Sequence, residues 1–441
     1  MKRKLFATSR HRALVTLAAL PVGALASAAA SAGGLMLYEV GTADVGLASA
    51  GYGARAQDAS TVFTNPAGMT RLEGTQVLVG AQALYSNTEF SVDSGTSPQL
   101  GSGDGGKAIG SNGWFPGGGL FVSSSVSPDV SIGFAMTGNF GAAVKYDNDW
   151  VGRYYGQEGV LVGISFIPSV AYKVNEHFSI GAGLNAMYGH MKQVVAINNP
   201  LSASDGQLKL EDNAWGYGAN VGLMYQVNEG TRFGLTWTSQ VDLDFKAPAE
   251  FSGLDNGLNI ILGNRGLLNS NVKMDVKVPQ TVMASAFVTL DDKWAMLGSV
   301  GWQQWSKFGQ VTVGIEDTNN PQSLTTDLDF NDTWHVALGA QYQISEPWKL
   351  SFGIAWDSNF QSGDVSPMLP TNASWRYGIG AEQTLSKTSR WGMAAELSWG
   401  GTLDVNNTSA LGVNAGGRGN VSGSYEDITT VIVAAYYSIS F

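Results

Sequence analysis

The chain alternates. Trp215, Tyr217, Ala219, Val221, Leu223, Tyr225 and Val227 form an apolar row, with Gly216, Gly218, Asn220, Gly222, Met224 and Gln226 between them. A second row, Phe233, Leu235, Trp237, Val241, Leu243 and Phe245, alternates with Gly234, Thr236, Thr238, Gln240, Asp242 and Asp244; Ser239 is its one polar break. A period of two places alternate side chains on opposite faces of a strand. One face suits lipid, and the other a polar or tightly packed interior. The rows end repeatedly in Trp and Tyr, as an aromatic girdle does.

Segments of this kind predict about fourteen strands. They lie at 75–92, 117–126, 130–146, 159–173, 178–194, 213–227, 231–246, 272–290, 293–313, 329–344, 347–360, 373–385, 388–404 and 425–441. The connections alternate in length. Val174–His177, Val227–Gly230, Leu290–Lys293 and Ile344–Pro347 are tight turns. The stretches near 93–116, 195–212, 247–271, 314–328 and 405–424 are long and rich in Gly, Asn and Ser. Short turns at one end and long loops at the other match the periplasmic and extracellular ends of an outer-membrane barrel. The last row, Val431, Val433, Ala435, Tyr437, Ile439 and Phe441, closes on a terminal Phe, like a barrel-assembly signal.

Gly33–Leu72 breaks the pattern. It is rich in Gly, Ala and Ser and keeps neither a period of 2 nor of 3.6. Such a segment builds no core of its own and becomes ordered only inside something else. It is read as a plug within the strands. Before it, Lys2, Arg3, Lys4, Arg10 and Arg12 precede an apolar Ala13–Leu25 and a small-residue cleavage site, Ala30–Ser31–Ala32, with Ala26–Ser27–Ala28 and Ala28–Ala29–Ala30 as rival sites. That is a signal peptide. The expected division is 1–32 signal peptide, 33–73 hatch and 74–441 transmembrane barrel.

Composition sharpens this. Cleavage removes 5 of 25 basic residues and none of the 36 acidic ones, leaving a formal charge of −16. So acidic a chain argues against nucleic acid as partner. With no Cys there is no disulfide framework or thiolate site. The charged fraction is 14%, against about 25% in an ordinary soluble domain. Past the signal peptide no apolar run approaches the ~20 residues of a membrane helix. Low charge without membrane helices leaves the closed barrel, whose backbone groups pair between strands. The fold class is therefore all-β: a transmembrane antiparallel β-barrel of about fourteen strands, its lumen plugged by a small N-terminal hatch.

Several motifs in order then carry a resemblance. Asn65-Pro66-Ala67 falls about thirty residues into the mature chain, with Gly46-Leu47-Ala48 and Asp58-Ala59 in the same stretch. Asn139-Phe140-Gly141, Tyr146-Asp147 with Trp150–Tyr154, Asn213–Gly218 and Trp302–Phe308 follow. In this set the chain resembles the FadL/TodX family of outer-membrane transporters for hydrophobic compounds. The resemblance implies a loop groove where cargo lands, a lumenal pocket lined partly by the N-terminus, and sideways release through a gap beside an inward kink of the third strand. The implied partners are a long-chain fatty acid or other hydrophobic small molecule, outer-membrane lipid and lipopolysaccharide, and the barrel assembly machinery. Sideways release suits such cargo. Each methylene withdrawn from water gains about 0.8 kcal/mol, and a watery pore would forfeit that.

On this resemblance Leu35, Met36, Leu37 and Tyr38 are the mobile N-terminus in contact with ligand. Asn65, Pro66 and Ala67 seat the hatch; Pro66 fixes φ, and Asn65 can bond backbone groups. Gly138, Asn139, Phe140 and Gly141 sit in the third predicted strand, where glycine marks a bulge or kink, and are read as the lateral gate. A carboxylate cargo would want a cation: Arg153, inside a matched motif, is the candidate, beside Arg55, Lys145 and Arg265. Gly257–Leu268 is read as a short apolar helix at the landing groove.

Other classes fit less well. His177, His190 and His335 have no nucleophile motif beside them, so no catalytic residue is assigned. Asp327, Asp329 and Asp332 lack the glycine and terminal glutamate of an EF-hand, so no metal or cofactor is expected. The alternative reading is a porin-like diffusion channel for polar solutes, or a structural barrel.

Overall fold

The computed structural model describes residues 35–101, 113–199, 202, 204–308, 310–317, 319, 322–327, 330–363, 365–409, 413 and 418–441. The predicted signal peptide 1–32 lies outside the described residues, as do Gly33, Gly34 and Asp329.

In chain order the strands are β1 (Thr75–Val92), β2 (Gly113–Ser125), β3 (Val130–Lys145), β4 (Glu158–Lys173), β5 (Phe178–Ile197), β6 (Gly206–Asn228), β7 (Thr231–Thr238), β8 (Val241–Pro248), β9 (Glu250–Ser252) and β10 (Asn271–Val278). Then follow β11 (Thr281–Thr289), β12 (Trp294–Gln303), β13 (Gln310–Glu316), β14 (Gln322–Asp327), β15 (Thr333–Ser345), β16 (Trp348–Asp357), β17 (Ser374–Ser386), β18 (Ser389–Asn407) and β19 (Val421–Ser440). The wall runs β5-β4-β3-β2-β1-β19-β18-β17-β16-β15-β12-β11-β7-β6, and β5 pairs with β6 to close it. Every pairing is antiparallel, giving a closed barrel of 14 strands. Closure removes the free edges that lipid could not satisfy. The β1–β19 seam joins Gln76 to Ser440 near the chain's end.

The exposed face is the expected one for β6 and β7. Trp215, Tyr217, Tyr225, Phe233 and Trp237 are exposed, while Met224 and Asn220 between them are buried. The second row needs a correction. Val241, Leu243 and Phe245 are buried, not lipid-facing. The predicted strands 231–246, 272–290 and 293–313 each split, at Ser239–Gln240, Pro279–Gln280 and a helical turn at Trp305–Phe308. Ser239 N still donates to Ala219 O before the chain turns inward, and Pro279 has no N–H to continue a ladder. Beyond these breaks β8, β10, β13 and β14 form a separate four-stranded sheet. Added Cβ atoms at Gly189 and Gly216 would stand 2.8 Å from Leu243 and 2.4 Å from Val241. β8 therefore lies over the inner face of β5 and β6.

Residues Leu35–Leu72 lie within the ring. Nearly all are buried, including Val45, Leu47, Val62 and Met69 at 0% exposure. Short 3-10 turns at Ala43–Leu47 and Pro66–Arg71 and one helical turn at Thr61–Thr64 shape the segment. Its residues pack on the interior faces of strands on all sides: Leu47 meets Gly353 of β16, Met69 meets Gly133 of β3, and Ala67 meets Gly181 of β5.

Candidate functional site

The inner segment is seated by close approach and by hydrogen bonds. A Cβ at Gly353 would stand 2.0 Å from the Leu47 carbonyl, and one at Gly181 would stand 2.4 Å from the Ala67 nitrogen. Only glycine lets backbone approach backbone so closely. Asn65 Nδ2 donates to the carbonyls of Gly53 at 2.6 Å and of Leu223, on β6, at 3.1 Å. Its Oδ1 accepts from Ala67 N at 3.1 Å and caps the following turn. Pro66 occupies the first position of that turn, where its missing N–H costs nothing.

Charges add a second tether. Arg376 of β17 pairs with Glu39 of the segment, with Glu396 of β18 at 2.8 Å and with Asp357 of β16 at 3.4 Å. All four side chains are buried. His335 Nδ1 lies 2.8 Å from Asp357 Oδ1, and its ring stands 4.8 Å from that of Tyr38. The Tyr38 hydroxyl accepts from Gln303 Nε2 at 2.6 Å. Arg55 is held within the segment by Asp44 at 3.1 Å and Asp58 at 2.7 Å.

Above the segment lies an apolar cluster. Leu35 and Phe140 meet Met187 of β5, Leu243 and Phe245 of β8, and the rings of Trp305, Phe308, Phe330 and Phe360. Trp305 stacks on Phe360 at 5.0 Å, and Phe308 on Phe330 at 6.1 Å. Met36 packs against the same cluster. Leu37 turns to a separate one with Val45, Leu84 and Ile432, and Tyr38 to a third with Tyr52 and Phe63.

Beside the cluster the wall is interrupted. The β2–β3 ladder ends at Gly119–Thr137. Among the described residues the remainder of β3 has no β2 partner, and its pairing with β4 shifts register between Gly138 and Phe140. Gly141 adopts φ +138°, a conformation that L side chains rarely adopt. Leu35–Leu37 takes the place of the missing strand. Leu37 N donates to Asn139 O at 2.9 Å, Gly141 N donates to Leu35 O at 2.7 Å, and Met36 bridges Phe140.

So the structure brings Leu35, Met36, Leu37, Asn139, Phe140 and Gly141 together at one break, and Asn65, Pro66 and Ala67 at another contact with the wall. Arg153 lies apart from the cluster. It pairs with Asp205 at 2.8 Å, donates to Leu100 O at 2.8 Å and stacks over Tyr154 at 4.7 Å. Burial, then the hydrogen bond to Asp205, raises the Tyr154 hydroxyl above its ordinary pKa. Lys145 and Arg265 are exposed. The loop helix is present at Asn256–Asn264, capped by Asp255 and showing Ile260 and Ile261 to solvent. Asp332 accepts from Ser306 N at 3.1 Å, and no metal-binding group of His, Cys, Asp or Glu occurs among the described residues.

The sequence alone gives no site role to Trp305, Phe308, Phe330 or Phe360. They come from three separate stretches, although the first two sit in a matched motif. Glu39, Arg376 and Glu396 also escape a reading by motif, yet a lone charge at an inward position of a wall strand is a signal that could find two of them.

Comparisons with known proteins agree with one another. A family model described as outer membrane protein transport protein (OMPP1/FadL/TodX) matches residues 23–441. The long-chain fatty acid transport protein of Escherichia coli O6:H1 is 28% identical over 377 residues, covering 79% of this chain and 83% of that protein. Outer membrane protein P1 of Haemophilus influenzae is 31% identical over 396 residues, covering 81% and 84%. A Pseudomonas aeruginosa FadL homologue superposes with a TM-score of 0.80 at 19% identity, covering 92% and 99%. The Pseudomonas putida toluene transporter TodX gives 0.65 at 14% identity, covering 90% and 99%. At these identities the two structures speak for the fold.

Proposed function

The chain belongs to the OMPP1/FadL/TodX family of outer membrane transport proteins, and from that premise we propose that it takes up long-chain fatty acids or related hydrophobic compounds. Cargo binds in the apolar cluster above the inner segment, Leu35–Tyr38 gives way, and cargo leaves sideways into the membrane between β2 and β3. The observation that carries this reading is the ladder break at Gly119–Thr137, bridged by the main chain of Leu35–Leu37 and flanked by an apolar cluster.

In this reading residues 33–73 are the hatch, 74–441 the barrel, and 1–32 a signal peptide removed on export. Leu35, Met36, Leu37 and Tyr38 are the moving part. Asn65, Pro66 and Ala67 anchor the hatch, and Gly138, Asn139, Phe140 and Gly141 form the lateral gate. Arg153 orders the outer loops where cargo arrives. The partners are the hydrophobic cargo, outer-membrane lipid with lipopolysaccharide, and the machinery that assembles barrels; no cofactor takes part and no bond is made or broken.

Mass spectrometry of ligand carried through purification tests the cargo, with a fatty acid or hydrocarbon expected. Planar-bilayer recording tests the route. A hatch-filled lumen passes little current, whereas steady large conductance identifies a porin-like pore and overturns the proposal.

A further inference from the structure

Four buried side-chain atoms without a hydrogen-bond partner among the described residues fall on one arc of the wall. They are Asn139 Oδ1 on β3, Ser165 Oγ on β4, Asn185 Oδ1 on β5 and Asn220 Oδ1 on β6. Ser165 is 0% exposed, Asn185 2%, and Asn139 and Asn220 4% each. A buried polar atom left unpaired keeps the cost of losing its water with nothing to offset it. Scattered singly, such atoms would be four separate defects. On adjacent strands, Asn185 and Asn220 are near enough to share one missing partner.

The register groups them. Ser165 pairs with Thr137 on one side and Met187 on the other. Asn185 pairs with Gly218, and Asn220 with Gly183. Asn185 and Asn220 are thus diagonal neighbours, at a spacing of about 7–8 Å between backbones. Asn139 is the bulged residue between Gly138 and Phe140. Pro168 interrupts the β4–β5 ladder between Phe166–Ala186 and Ser169–Gly183, beside Asn185.

Their level in the barrel matters. Two residues from Gly183 and Asn220 toward the tight turns stand Gly181 and Gly222, on which Ala67 and Asn65 rest. Two residues the other way from Asn185 stands Met187, part of the apolar cluster. The polar arc therefore lies between the seat of the inner segment and the apolar cluster, the cargo chamber of the reading above.

We propose that Asn185 and Asn220, flanked by Ser165 and Asn139, form a polar shelf at the edge of the apolar cluster that binds the hydroxyl head of a long-chain alcohol or similarly O–H-bearing amphiphile. The chain of that ligand lies against Met187 and Phe140. A hydroxyl both donates and accepts, so it can give its hydrogen to one amide oxygen and accept from the other amide's N–H. A plain alkane offers the shelf nothing. A carboxylate anion offers no donor to the amide oxygens.

This rests on the chamber holding cargo, and the test separates the two ideas. Equilibrium binding of radiolabelled dodecan-1-ol and dodecane is measured on the purified full-length protein in amphipol. Asn185→Leu/Asn220→Leu is compared with wild type, with heat-modifiable gel migration as the check on assembly. The double variant is expected to weaken dodecan-1-ol about tenfold while changing dodecane less than about twofold. Ser165→Ala, two strands from Asn220, is the control and is expected to change the alcohol less than about twofold. Parallel losses for both ligands, or no loss for the alcohol in the double variant, overturns the shelf. Dodecane that binds wild type keeps the chamber; failure of both ligands to bind wild type removes chamber and shelf together.

Discussion

The main-chain N–H of Leu37 donates to the carbonyl of Asn139 at 2.9 Å. An inner-segment residue thereby fills the position that a β2 residue would hold in an unbroken wall. With the reciprocal bond from Gly141 N to Leu35 O, the segment closes the gap it lies beside, and its side chain at Leu35 enters the apolar cluster.

Leu35→Asp is expected to lower fatty acid uptake by at least about tenfold, because a carboxylate in that cluster costs several kcal/mol. Barrel assembly should not change, since wall pairing does not involve the side chain. Uptake of labelled fatty acid by cells, with heat-modifiable migration as control, checks both parts. Normal uptake would place cargo elsewhere.

Asn65→Ala removes donors to Gly53 O and Leu223 O and the acceptor for Ala67 N. Two of the lost bonds serve carbonyls in the interior, so the seat weakens by about 1–3 kcal/mol. Amide hydrogen exchange in residues 53–72 should quicken by roughly tenfold, with β-strand amides unchanged. Unaltered exchange would mean that Pro66 and the glycine contacts hold the segment without Asn65.

Gly353→Val is expected to unseat the segment. Its Cβ would meet the carbonyl carbon and oxygen of Leu47, each at 2.0 Å, and backbone cannot rotate away as a side chain can. The rest of β16 stays paired with β15 and β17. Bilayer recording should then show sustained ion current where wild type shows little.

Arg153→Ala and Asp205→Asn should act alike if the pair serves to order the loops. Each removes the 2.8 Å bridge and frees the loop that also binds Leu100 O and Tyr154. Both should increase protease cutting between residues 146 and 157. A cargo carboxylate held directly by Arg153 would split the two: Asp205→Asn would tighten fatty acid binding, and Arg153→Ala would weaken it.

The wall was legible because alternation is a local signal. Trp215, Tyr217 and Tyr225 fall on the same face at even spacing within one strand, and the short turns fix where strands end. The four-stranded sheet was not. Leu243 alternates like Leu235, since an apolar face against an interior and one against lipid read the same. Only Ser239 and Pro279 mark where the chain leaves the wall. The cluster was harder still: Leu35, Phe140, Phe330 and Phe360 meet through closure of the ring, and no period links them. Asn65 stood out because Asn-Pro is a turn signal, but its partner Leu223 O is a backbone atom that any residue supplies.

Arg376→Met tests how charge holds the segment. Arg376 faces Glu39, Asp357 and Glu396 together, each side chain at most 2% exposed. Removing the one arginine leaves three buried carboxylates facing each other, and breaking a buried pair this way costs about 3–5 kcal/mol. Glu39 is the member best able to escape, because it belongs to the inner segment and the others to the wall. The expected result is a folded barrel with the segment displaced: sustained ion current and faster exchange around residues 38–50. Adding Glu39→Gln should reverse part of this, since the segment then carries no charge to expel. If the double variant conducts as much as Arg376→Met alone, the displacement comes from the wall strands and not from Glu39.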